Sequence, residues 1–166
     1  MPMKSLRSAE LGCDYDLVIV GGGIVGLTLA CALKDSGLRI ALIEAQPHPI
    51  AVAKEQAYAI SLLSSKIFRD LGVWDAILPK IATFRRIQLS DADYPKVVSF
   101  LPRDLGTETL GYVAEHQALL TTLQEFLSHS QTVRWLCPAK VLQTLDQGKF
   151  TQVTVEMAGT SHLLRT

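Results

Sequence analysis

Four residues near the start of the chain have the types and spacing to hold a pyrophosphate and a ribose. Gly21, Gly23 and Gly26 stand at G-x-G-x-x-G, and Glu44 follows them. A glycine at 21 lets the chain turn sharply, and one at 23 leaves room for a pyrophosphate to approach the backbone. A glycine at 26 lets a helix lie close to a strand. An acid such as Glu44 accepts hydrogen bonds from the hydroxyls of an adenosine ribose. Because it would repel a 2′-phosphate, FAD or NAD fits this pattern and NADP does not.

Those side chains can act only if the surrounding elements deliver them. Tyr15 to Val20 is a short apolar run of the kind that forms a doubly buried strand. Ile24 to Lys34 has good helix formers, and its apolar residues Val25, Leu29, Ala32 and Leu33 are expected to pack on a sheet. Gly37 closes the helix as a C-cap, and Arg39 to Ile43 is a second strand finishing on Glu44. Such a helix aims its free N–H groups and the positive end of its dipole at bound phosphates. The cofactor set is therefore Gly21, Gly22, Gly23, Ile24, Val25 and Gly26, with Glu44 and Ala45 beyond the second strand. The fold class is α/β, a Rossmann-like FAD/NAD(P)-binding βαβ unit with additional strands.

The 166 residues suffice for one domain with a sizeable core. Hydrophobic residues at 48% and charged residues at 19% indicate a globular chain. Lys+Arg and Asp+Glu are both 16, a balance that offers no polybasic surface for nucleic acid or membrane. Residues 1–13 read as a tail without the apolar core of a signal peptide. Cys13, Cys31 and Cys137 have no zinc-type spacing, which suits a reducing cytosol, and Cys31 reads as a small core residue. A soluble, cytoplasmic protein is expected, with peripheral membrane or multi-enzyme association and oligomeric state left open.

Further along, Gln46 to Lys54 is a loop carrying an exposed His48. Ser61 or Ser64 caps a helix presenting Ile67, Phe68 and Leu71, and Gly72 closes it. Residues 73–78 form a helical turn ended by Pro79, with Trp74 as a packing residue. Phe84 to Ser90 alternates like a half-buried strand, and with Val97 to Leu101 it makes an antiparallel ribbon across the turn at 91–95. Asp91 and Asp93 invite a calcium reading. The loop lacks a glycine at the sixth position and a closing glutamate, so no metal site is expected. A strand at 110–114 leads into an amphipathic helix with Leu119, Leu120, Leu123, Phe126 and Leu127 inward. Val133 to Leu136, Lys140 to Leu145 and Phe150 to Glu156 read as strands, with a hairpin turn at 146–149. Another strand begins at Ser161, and the chain stops inside it, which reads as a truncation.

Several stretches together resemble the FAD-dependent aromatic hydroxylases of the ubiquinone-biosynthesis type, within the p-hydroxybenzoate hydroxylase-like flavin monooxygenases. They are the glycine-rich opening through Glu44, AYAISLLSSKIFRDLGVW at 57–74, IQLSDADYP at 87–95 and LGYVAEHQALLTTL at 110–123. The resemblance implies FAD with its pyrophosphate over Gly21 to Gly26, its ribose at Glu44, and Gln56 and Gln117 approaching it. Relatives often carry arginine at those two positions. A neutral amide gives up the charge-assisted, bidentate contact of an arginine.

The resemblance also implies NAD(P)H as electron donor, O2 as co-substrate, and a small aromatic or quinone-precursor ring as substrate. Residues 14–166 would be the N-terminal portion of the FAD-binding domain, with 84–101 belonging to a substrate-domain sheet. The family's later Gly-Asp motif, on the flavin ribityl chain, has no counterpart here. No side chain is assigned as the catalytic acid, base or nucleophile. Tyr58, Glu115 and His116 read as structural or cofactor-facing. Two other readings compete: a non-catalytic FAD-binding remnant, and an NAD-dependent dehydrogenase, which the triple glycine and the later motifs disfavour.

Overall fold

The computed structural model describes residues 13–47 and 56–166. In chain order the elements are β1 (Leu17–Val20), α1 (Ile24–Leu33), β2 (Ile40–Ile43), β3 (Ala57–Ile60), α2 (Leu62–Asp70), α3 (Trp74–Ile77), β4 (Ala82–Phe84), β5 (Ile87–Asp91), β6 (Tyr94–Phe100), β7 (Gly111–Glu115), α4 (His116–Leu127), β8 (Val133–Leu136), β9 (Lys140–Asp146), β10 (Thr151–Met157) and β11 (Thr160–Arg165). Short 3-10 turns cover Leu78–Lys80 and Pro102–Asp104. The chain divides into two compact units, Met1–Lys54 with Leu123–Thr166, and Glu55–Thr122, so that α4 begins in the second and ends in the first.

The first unit is Rossmann-like. β1, β2 and β8 form a parallel sheet with β2 central, paired Leu17↔Ile40 and Ile40↔Val133. All four β2 residues are buried, as a central parallel strand requires. The Asp16 carboxylate fixes the register at the lower edge by accepting hydrogen bonds from the Arg39 backbone N–H at 2.7 Å and from its guanidinium at 3.1 and 3.2 Å. One face of the sheet shares a core with the antiparallel sheet β11-β10-β9, in which Ala41, Ile43, Leu136, Ala139, Val153 and Val155 pack together. The tight turn between β10 and β11 sets Ala158 at φ 50° and Gly159 at φ 75°, the mirror-image geometry that matches strand twist.

α1 covers the other face, but not with the side chains the sequence suggested. Leu27, Ala30 and Cys31 are buried, whereas Val25, Leu29 and Ala32 are exposed and Leu33 is half-buried. The helix is apolar all round, so periodicity could not select a face. Gly26 selects it, because the helix approaches β1 most closely there and brings positions 27, 30 and 31 to the same side. Cys31 is a core residue, as expected.

In the second unit β3, β7 and β4 form an antiparallel sheet, and β5 and β6 form a separate ribbon. The expected ribbon is present, paired Ile87↔Phe100 with a register shift at Ser90/Asp91. Two expectations are corrected. The run from Phe84 is not one strand, since Phe84 ends β4 against Gly111 and the chain leaves that sheet at Arg85–Arg86 before β5 begins. Nor is β5 half-buried: every residue of it is exposed, so the alternation marks a two-faced surface ribbon within this unit.

Ser61, not Ser64, caps α2, and its hydroxyl accepts the Ser64 N–H at 3.1 Å. α3 ends at Ile77 just ahead of Pro79, which lies in the following 3-10 turn, where proline is tolerated in a first turn. β3 at Ala57–Ile60 was not anticipated, because two alanines in four residues hide its strand character. Trp74 packs edge-on against Tyr112, with ring centroids 4.8 Å apart. In α4, Leu119, Leu120, Leu123 and Leu127 are buried and Phe126 is half-buried, with the Lys34 ammonium 5.1 Å from its ring centroid. His48 lies outside the described residues. No described helix is long and apolar enough to cross a membrane.

Candidate functional site

The sequence brings β1 to an end at a glycine that accepts a backbone conformation other residues avoid. Gly21 has φ +106° and donates its N–H to the Ile43 carbonyl at 2.8 Å, which turns the chain out of the sheet beside the end of β2. Two residues later Gly23 caps α1 in an extended conformation, with no side-chain hydrogen bond closing the first turn. A Cβ on Gly23 would meet nothing within 4 Å, so the space above the helix start is open. A Cβ on Gly26 would lie 2.0 Å from the Gly21 carbonyl oxygen, so only glycine fits there.

Glu44 reaches back over this turn. Its Oε2 accepts the Gly22 N–H at 2.7 Å, and its Oε1 accepts the Gln46 N–H at 2.7 Å. Its backbone continues the sheet, donating to the Leu136 carbonyl at 3.0 Å and accepting from Ala139 N–H at 2.7 Å. The carboxylate is thus held by backbone donors on both oxygens. Each oxygen keeps a further lone pair for a hydroxyl donor. Gly22 is buried beneath it, and a Cβ there would come within 2.9 Å of the Glu44 Cβ.

These groups can receive an anion and a diol side by side. The first turn of α1 offers backbone N–H groups and the positive end of a helix dipole. Gly23 leaves room, Val25 stands out at 84% exposure, and Glu44 supplies acceptors next to the loop. The residues present therefore fit the ADP half of a dinucleotide. Gly21 to Gly26, Glu44 and the exposed Ala45 all belong to the first unit and gather at one end of its parallel sheet.

Gln56 and Gln117 belong to the second unit. Gln56 is exposed at the start of β3, and its carbonyl accepts the His116 N–H at 2.7 Å, one step beyond the β3–β7 ladder. Gln117 is exposed in the first turn of α4. The Tyr58 hydroxyl lies 3.1 Å from Gln56 Oε1 and 3.2 Å from His116 Nδ1. His116 is buried and Glu115 is exposed. This Gln56–Tyr58–His116 cluster was not foreseen. Its signal would have been the Gln56/Tyr58 spacing, since residues two apart share a strand face, once 57–60 is recognised as a strand. Asp91 behaves as a turn residue, its carboxylate accepting the Asp93 N–H at 3.1 Å.

Comparison with known proteins gives a consistent pattern. Residues 19–59 match the model of an NAD(P)-binding Rossmann-like domain. The chain is 43% identical over 153 residues to an uncharacterized protein of Synechocystis sp., covering 92% of this chain and 37% of that protein. It is 30% identical over 162 residues to the mitochondrial ubiquinone biosynthesis monooxygenase of Homo sapiens, covering 82% of this chain and 34% of that protein. Among solved structures, the flavin-dependent monooxygenase PieE, in complex with FAD and substrate, superposes with a TM-score of 0.75 at 19% identity. That match covers 90% of this chain and 28% of PieE. The chain thus spans little more than a third of the length of these two curated relatives.

Proposed function

We infer, from homologues that are ubiquinone-biosynthesis monooxygenases and a fold shared with flavin-dependent monooxygenases, that this chain holds the ADP-binding half of an FAD site in a ring hydroxylase. The observation that carries the reading is the forced contact at Gly26, with open space at Gly23 and the tethered Glu44 beside it. The α1 N–H groups from Gly23 to Gly26 would hold the pyrophosphate, with Gly21 and Gly22 shaping the approach. Glu44 would accept the ribose hydroxyls, and Ala45 would border them. Gln56 and Gln117 would contribute neutral amide hydrogen bonds. When bound, the flavin supplies the oxygen-transfer chemistry, with NAD(P)H as reductant, O2 as oxygen source and an electron-rich aromatic or quinone-precursor ring as acceptor. The protein's contribution is to bind and orient.

FAD titration of the purified chain, followed by flavin fluorescence, tests this. Gly23→Asp is the control. Gly23 has φ −75°, which any residue adopts, and aspartate is a favoured N-cap, so the variant keeps its fold while placing a negative charge against the pyrophosphate. Saturable binding that Gly23→Asp abolishes supports the site. No FAD binding by a chain folded by circular dichroism overturns it, and binding of NAD alone would favour the dehydrogenase reading.

A further inference from the structure

The geometry points to Tyr58 and His116 as a positioning pair that sets which way the Gln56 amide faces, resting on the reading that Gln56 serves the cofactor. Gln56 immediately precedes β3 and continues its ladder by one step, so it shares a face with Tyr58, two residues on. The Gln56 backbone is held by His116, whose N–H donates to the Gln56 carbonyl at 2.7 Å. Its side chain is held by Tyr58, whose hydroxyl lies 3.1 Å from Gln56 Oε1.

Donor counting fixes the direction of this chain. A carbonyl oxygen of an amide can only accept, and the phenol has one proton, so Tyr58 donates to Gln56 Oε1. The phenol oxygen then has only lone pairs to offer His116 Nδ1, 3.2 Å away, so that nitrogen carries a proton and donates. The sequence of bonds is His116 Nδ1–H to Tyr58 Oη–H to Gln56 Oε1. With its oxygen engaged by Tyr58, the –NH2 is the end of the exposed Gln56 amide that remains to meet a ligand. The –NH2 thus presents two donors suited to phosphate or ribose oxygens. An arginine at position 56 would have no acceptor for the Tyr58 proton. The pair is therefore matched to an amide, and it orients a group that has no charge of its own to direct it.

Two readouts test this. In the free chain, 15N chemical shifts of the His116 ring, assigned with His116→Gln, should show Nδ1 protonated, and Tyr58→Phe should move that signal. An unprotonated, accepting Nδ1 overturns the proposal whether or not FAD binds. In FAD titrations, Tyr58→Phe and Gln56→Ala should each weaken binding by about 3- to 10-fold, the range for one lost hydrogen bond. The double variant should be no weaker than Gln56→Ala. A packing role for Tyr58 would instead make the two factors multiply, and that result, or an unchanged affinity in Tyr58→Phe, overturns the positioning role. Absence of FAD binding in the unmodified chain defeats the proposed function, while the ring-nitrogen signal still decides the hydrogen-bond direction.

Discussion

Gly26 and Glu44 hold the shape of the glycine turn after β1, Gly26 through its close approach to the Gly21 carbonyl and Glu44 through the Gly22 N–H. Gly26→Ala would put a methyl 2.0 Å from the Gly21 carbonyl oxygen, a backbone atom that cannot swing aside. The variant should lose about 3 kcal/mol of stability in urea denaturation, and FAD binding with it. Glu44's two backbone tethers were not legible, since nothing in its type says which N–H groups it will meet. Cys31 offers a pH test. Burial pushes its thiol up to about 11 from 9.0, opposed by the nearby Lys34 charge. Between those values the unfolded chain has lost the proton that the native chain retains. Stability should therefore fall as pH rises from about 9 to about 11. Denaturation midpoints across that window should fall less steeply in Cys31→Ala.

At the scale of elements, legibility followed the strength of the local signal. α2 was readable from its serine cap, but the choice between two serines needed coordinates. Of the expected face only Phe68 is buried, with Leu71 half-buried, Ile67 exposed and Ser65 buried in its place. Ser61→Ala should cost about 1 kcal/mol, read as a lower urea midpoint with an unchanged denaturant slope. Ser64→Ala should cost less, because Ser64 contributes its backbone N–H to the cap. The face of α1 was illegible because the helix is apolar all round, and a contact between two backbones made the choice. β3 was missed because two alanines dilute the strand signal of Tyr58 and Ile60, and the Gln56–Tyr58–His116 cluster was missed with it. The ribbon was found because alternation and a turn coincide, yet alternation misstated its burial. Period-two patterning shows that a strand has two faces, and only its neighbours decide whether either is covered.

For the molecule as a whole, the Rossmann-like class was readable early, since strand, glycine turn, helix, strand and acid follow one another within thirty residues or so. The division into two units was not, because it depends on distant segments meeting. If FAD binds the first unit in its native form alone, stability should rise by about 2.7 kcal/mol at a free concentration one hundred times Kd. Thermal unfolding followed at increasing FAD checks this, and Gly23→Asp should show no shift. One further contact has a kinetic consequence. Asp14 and Tyr15 donate their N–H groups to the Arg165 carbonyl at 3.0 and 3.2 Å, and the Asp14 carboxylate accepts the Arg165 N–H at 3.0 Å. The residues just before β1 are thus secured by a strand made some 150 residues later, and the middle strand β2 also awaits β8 for its second neighbour. Contacts of such long range slow folding. At about 5–20 residues per second, the segment bearing the glycine turn waits on the order of ten seconds or more during synthesis before its partners exist. The glycine turn is therefore completed well after it is synthesised, and the nascent chain stays exposed to chaperones and proteases through that interval.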